Sequence, residues 1–171
     1  MRMRVCIQVV VASLILVMSA GGAWPQEGLQ RDQITAHYKV SLEIGNVVTM
    51  LMPDQAAGAK EGEVMVHMPG TRMVTDMTDQ GKPVNHHLEV HIYEKSDGAR
   101  VTKIIPRVAI TNQGTGKSRS LTSMAPMYDV KEGEKDLHFG SNLYLPEGKY
   151  TVAVTVGNEK AIFKDLVVTR K

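Results

Sequence analysis

Tyr150, Val152, Val154 and Val156 interleave with Thr151, Ala153 and Thr155, and so strict a period of two leaves little choice but extended strand. Successive side chains of a strand face opposite ways, so the pattern writes one apolar and one polar face. Tyr38, Val40, Leu42 and Ile44 repeat it against Lys39, Ser41 and Glu43. Within Val84–Glu94, Leu88, Val90 and Ile92 repeat it against Glu89, His91 and Tyr93. Further strands are predicted over Glu63–Met68, over a run in which Ile104, Val108 and Ile110 share a phase, and over Arg119–Pro126, Leu137–Leu145 and Ala161–Thr169. Pro106 inside the second of these predicts an edge strand or a bulge.

Turn residues separate the strands. They stand at Gly45-Asn46, Pro69-Gly70, Ser96-Asp97-Gly98, Pro146-Glu147-Gly148 and Gly157-Asn158, and Asp-Gly is a hairpin signal. Met50–Gly62, Arg72–Gly81 and Asp129–Asp136 read as loops, the first with a helical turn at Gln55–Lys60. No segment carries a long helical period. The pattern predicts an all-β fold, a sandwich of about 7–9 antiparallel strands, with Tyr38/Val40/Leu42, Leu88/Val90/Ile92 and Val152/Val154/Val156 buried between its sheets.

The first residues follow another logic. Arg2 and Arg4 precede the apolar run Val9–Val17, which ends in Ser19-Ala20-Gly21-Gly22-Ala23. This is the outline of a secretory signal peptide, cleaved after Ala20 or Ala23. Residues 1–23 are therefore read as signal, 24–36 as a flexible lead-in and 37–171 as one β-sandwich domain of an exported protein. Cys6, the single cysteine, leaves with the signal. Loss of Arg2 and Arg4 reduces 20 basic residues to 18, against 18 acidic ones. A chain without basic excess is a poor partner for nucleic acid.

Chemistry concentrates on one strand face. His87, Glu89 and His91 share the side opposite Leu88, Val90 and Ile92, each about 6–7 Å from the next, a spacing from which one rigid element can offer several ligands to an ion. Met65 and His67 form a second same-face pair, and Met124, Met127 and His138 lie further on. Eight of the 11 methionines survive signal removal, all between positions 50 and 127. One methionine alone is ordinary core filler. Beside histidines in an exported, thiol-free chain, thioethers point to Cu(I), whereas imidazole and carboxylate suit Cu(II), iron or zinc. Because imidazole coordinates only when neutral, affinity is expected to fall below about pH 6. His37 lacks patterned neighbours and reads as a surface residue.

Other motifs exclude functions. Asn112–Ser118 ends in Gly-Lys-Ser, but Thr111 stands where a phosphate loop needs glycine, and no helix follows; the stretch reads as a hairpin turn. There is no Gly-x-Ser-x-Gly, no His-Glu-x-x-His and, after export, no cysteine nucleophile. The chain is not expected to be an enzyme.

From Pro106 to Tyr150 the order of features resembles the periplasmic metal-binding proteins of bacterial high-affinity iron uptake. That family writes Leu-Met-Pro-Met, a loop, His-Tyr-Gly-x-Asn and a Gly-x-Tyr strand. This chain has Leu121 followed by Met124-Ala125-Pro126-Met127, then His138-Phe139-Gly140-Ser141-Asn142 and Gly148-Lys149-Tyr150, and its His87-Leu88-Glu89 is similar to the family's His-Leu-Glu strand. Ala125 and Phe139 depart from the pattern, as does Ile105 before Pro106, where the family has methionine. The resemblance implies an immunoglobulin-like sandwich, often a homodimer, that binds copper and serves iron uptake through an inner-membrane iron permease. It also implies His87, Glu89 and His138 as ligands, with Met124 and Met127 nearby. The leading expectation is thus a periplasmic copper- and/or iron-binding protein of metal uptake or homeostasis. The alternative is an exported immunoglobulin-like module, structural or partner-binding, without metal.

Overall fold

A computed structural model of the chain describes residues 29–71, 73, 77–122 and 124–169. The signal-peptide segment lies outside them. Among the described residues no helix is long and apolar enough to cross a membrane.

The fold is all-β. In chain order the strands are β1 (Leu29–Ile34), β2 (Tyr38–Gly45), β3 (Met50–Leu51), β4 (Glu63–Met65), β5 (Thr78–Asp79), β6 (Lys82–Pro83) and β7 (His86–Glu94). They continue as β8 (Arg107–Asn112), β9 (Ser118–Leu121), β10 (Ala125–Asp129), β11 (His138–Leu143), β12 (Gly148–Val156) and β13 (Glu159–Val168). Seven form one sheet in the order β1-β2-β7-β11-β10-β4-β3, and four form a second in the order β13-β12-β8-β9. The pair β5-β6 is a separate small hairpin. Every pairing is antiparallel except that of β3 with β4.

The apolar phases pack together between the two large sheets. Val40, Leu42 and Ile44 of β2, Leu88, Val90 and Ile92 of β7, and Tyr150, Val152, Val154 and Val156 of β12 join Phe139 and Phe163 in one buried cluster. Each large side chain so buried contributes about 1.5–3 kcal/mol of transfer free energy. That core covers only the inner face of the seven-stranded sheet; the outer face carries the polar phase of the same strands.

Several expectations are corrected. Residues 29–34, read as lead-in, form β1 on the edge of β2; five of its six residues are exposed, so the strand is held by ladder hydrogen bonds and leaves little apolar period to read. Arg119–Pro126 is two strands, β9 in the small sheet and β10 in the large one, because the chain crosses between sheets there and Met124 drops into the core at the crossing. Pro106 lies just before β8 and not inside it; β8 is an inner strand, where a proline would cost a ladder bond. The helical turn of the first loop falls at Pro53–Gln55. The hairpin of Asn112–Ser118 holds, with Thr111 paired to Ser118 and Gly116 at φ +68°.

Candidate metal centre

The ladder of the large sheet sets the site. In β7, placing Leu88, Val90 and Ile92 in the core forces His87, Glu89 and His91 to the outer face. Asn142 lies opposite His87, and Gly140 opposite Glu89. Ala125 pairs with Gly140, and Met127 with His138. Met65 in turn pairs with Met127. Directly paired residues share a face, so β7, β11, β10 and β4 present one continuous row of donors.

Glu63 is at its centre. Its Oε2 lies 3.1 Å from His138 Nε2 and 3.3 Å from His87 Nε2. Glu89 Oε1 is 3.9 Å from the same His87 nitrogen, and its Oε2 is 3.3 Å from His91 Nε2. One ligand atom from each of Glu63, His87, Glu89 and His138 falls within 4.8 Å of all the others. The rings of His91 and His138 are 4.8 Å apart, so the two distant segments converge as the sequence reading requires.

The state of His87 is decisive. Asn142 Nδ2 donates to the Val48 carbonyl at 2.8 Å while its Oδ1 accepts from the Val48 amide at 3.3 Å, which fixes the amide's orientation. That Oδ1 also accepts from His87 Nδ1 at 2.9 Å. Nδ1 is therefore a donor, and Nε2 is the nitrogen turned into the site. The His87 side chain has no solvent exposure, and its buried Nε2 makes no hydrogen bond. A buried ring nitrogen left without a hydrogen bond beside a buried carboxylate is an arrangement that proteins avoid unless a cation lies between them.

His138 is differently held. Its Nδ1 donates to the Asp136 carbonyl at 2.8 Å, with Asp136 Oδ2 at 3.4 Å, and Nε2 meets Glu63. Burial disfavours its charge, but the hydrogen bonds to Asp136 and Glu63 outweigh burial and raise the imidazole to about 10. Burial likewise pushes Glu63 up, and is overcome by His138 and His87, which bring it down to about 2. Asp136 is lowered against its own burial, chiefly by His138. Without metal, the centre holds an imidazolium between two carboxylates.

Thioethers line one wall. Met65 and Met127, both fully buried, form with Ala125 a cluster separate from the sandwich core, and Met50, Met52 and Met73 pack against it. A Cβ on Gly140 would lie 2.6 Å from His87 Nε2 and 2.7 Å from Met127 Sδ; glycine alone lets imidazole and thioether meet across that point. A recess of about 270 Å³ reaches Glu63, and its lining includes Glu61 and Asp129.

Of the sequence-predicted donors, His87, Glu89, His91, His138, Met65 and Met127 come together. Met124 lies in the sandwich core, and His67 is exposed beyond the end of β4. His37 is on the surface, against Glu159. Glu63, Asp136, Asn142 and Gly140 did not figure among the predicted donors. Glu63 shares the strand phase of Met65, and that parity was the available signal.

Fold and site together define an all-β sandwich with a buried imidazole–carboxylate cluster walled by thioethers. No family model matches the chain, and no curated protein matches it by sequence. Among solved structures it resembles the crystal structure of "as isolated" FetP from uropathogenic E. coli strain F11, recombinantly expressed in the periplasm of E. coli BL21(DE3). The identity is 12% and the TM-score 0.49, over 84% of this chain and 99% of that one. A likeness at that distance carries no argument.

Proposed function

We propose that this protein binds a single metal ion on the outer face of its large sheet, through His87 Nε2, His138 Nε2, Glu63 and Glu89, in metal uptake or homeostasis. The observation that carries the reading is the buried, hydrogen-bond-free His87 Nε2 set 3.3 Å from the buried Glu63 carboxylate. Copper is the preferred ion and iron the second choice. Imidazole and carboxylate suit Cu(II), while Met127 and Met65 add the soft donors that Cu(I) selects. The protein has no catalytic role in this proposal. Its signal-like first residues support export, and the sequence motifs it shares with the iron-uptake family, His87-Leu88-Glu89 and His138-Phe139-Gly140-Ser141-Asn142, support a periplasmic homodimer that hands metal to an inner-membrane iron permease.

The test uses tag-free mature protein titrated with Cu(II), Fe(II) and, as a redox-inert stand-in for Cu(I), Ag(I). One equivalent of copper is expected to bind, with at least a 100-fold loss of affinity in the His87→Ala/His138→Ala double variant. Affinity unchanged in that variant rejects the site. The competing reading, a partner-binding module without metal, draws on the full set of protein partners around His138; it is selected if copper produces no thermal shift.

A further inference from the structure

Beside the proposed ligands a second donor group, His91, Asp136 and His138, also brings one ligand atom each within 4.8 Å of the others. A cation of the protein's own already stands there. Arg100 Nη1 donates to His91 Nδ1 at 3.2 Å and to the Leu137 carbonyl at 2.8 Å. Its Nη2 lies 3.6 Å from Asp136 Oδ1. The guanidinium carbon sits 5.3 Å from the centre of the Tyr93 ring, and a backbone bridge between Tyr93 and Arg100 anchors the residue to the end of β7. The fork thus spans two of the three donors and is backed by an aromatic face.

We propose that Arg100 is a built-in counter-cation that fills this second donor group, so that the protein takes one metal ion and not a pair, and that it makes His91 a positioning residue for Glu89 and not a ligand. A guanidinium carries only donors and stays charged, so His91 Nδ1 must accept from it. The ring proton of neutral His91 is then on Nε2, which donates to Glu89 Oε2 at 3.3 Å. Neither nitrogen of His91 keeps a lone pair for an ion. Glu89, tied through Oε2, is left with Oε1 turned toward His87. A metal ion entering between His91 and Asp136 would have to displace a fixed guanidinium, whereas one at Glu63 and His87 has only the removable proton of His138 to displace. The stoichiometry of one rests on the metal reading above; the occupancy of the second group by Arg100 does not.

The test compares wild type with Arg100→Gln and Arg100→Lys. Each is titrated with Zn(II), which is redox-inert and accepts imidazole and carboxylate, and bound metal is counted after gel filtration. Wild type and Arg100→Lys are expected to hold one ion. Arg100→Gln is expected to hold two, the second at least tenfold weaker because only His91 and Asp136 are left to hold it once His138 Nε2 serves the first. A long-range proton–nitrogen spectrum of metal-free wild type is expected to give His91 as the Nε2–H tautomer, a readout that needs no variant to fold. One ion in a folded Arg100→Gln, two in wild type, or an Nδ1–H His91 overturns the proposal. If wild type binds no ion, the metal reading fails on its own, and Arg100→Gln still decides this one: an ion bound there upholds it, and none overturns it.

Discussion

At the scale of single residues, the Glu63–His138 pair sets the pH behaviour. His138 is raised from 6.5 to about 10, so its contribution to stability is complete below pH 6.5 and is lost as pH rises through about 10. Glu63 is lowered from 4.5 to about 2, so its contribution is present above pH 4.5 and is lost as pH falls through about 2. Melts of metal-free protein across this range are expected to be highest between the two limits and to decline on both sides. Ion binding at His138 Nε2 must displace that proton. Affinity is therefore expected to rise about tenfold per pH unit well past neutrality, read by competition titration at several pH values. This replaces the expectation of a fall only below about pH 6, which assumed an unperturbed imidazole. Gly140→Ala would drive a methyl against His87 Nε2 and Met127 Sδ. We expect ~1–3 kcal/mol of destabilisation in chemical unfolding and a collapse of metal affinity. His87, Glu89 and His138 were legible because motif and strand parity mark them. Glu63 was not, because the histidines that it meets, His87 and His138, lie on other strands of the sheet and no local pattern encodes those pairings.

At the scale of elements, the ladders carry the donors and hydrogen bonds aim them. Asn142 of β11 holds the ring of His87 across the ladder and is itself held by Val48. Asn142→Ala is expected to leave the fold intact and to weaken metal binding about 10–100-fold, as loss of a ligand's outer partner does, measured by calorimetry beside circular dichroism. Strands with one apolar face, such as β2, β7 and β12, could be read from alternation because one side of each meets the core. Edge strand β1 could not, since nearly all of it is wet. The split between β9 and β10 is hidden for another reason: a change of sheet preserves extended backbone, so alternation continues across it.

At the scale of the whole molecule, the sandwich core and the donor row sit on opposite faces of one sheet, so folding does not wait for an ion. Metal-free protein should melt cooperatively. An ion at 100 times its dissociation constant should add about 2.7 kcal/mol, or ~5–10 °C in melting temperature for a chain of this size, followed by scanning calorimetry. The recess lined in part by Glu61, Glu63 and Asp129 is acidic, and its consequence is kinetic. Such a vestibule gathers cations from solution and turns anions away before any ligand is touched, so capture should slow steeply with added salt while release hardly changes, a contrast that stopped-flow mixing can resolve.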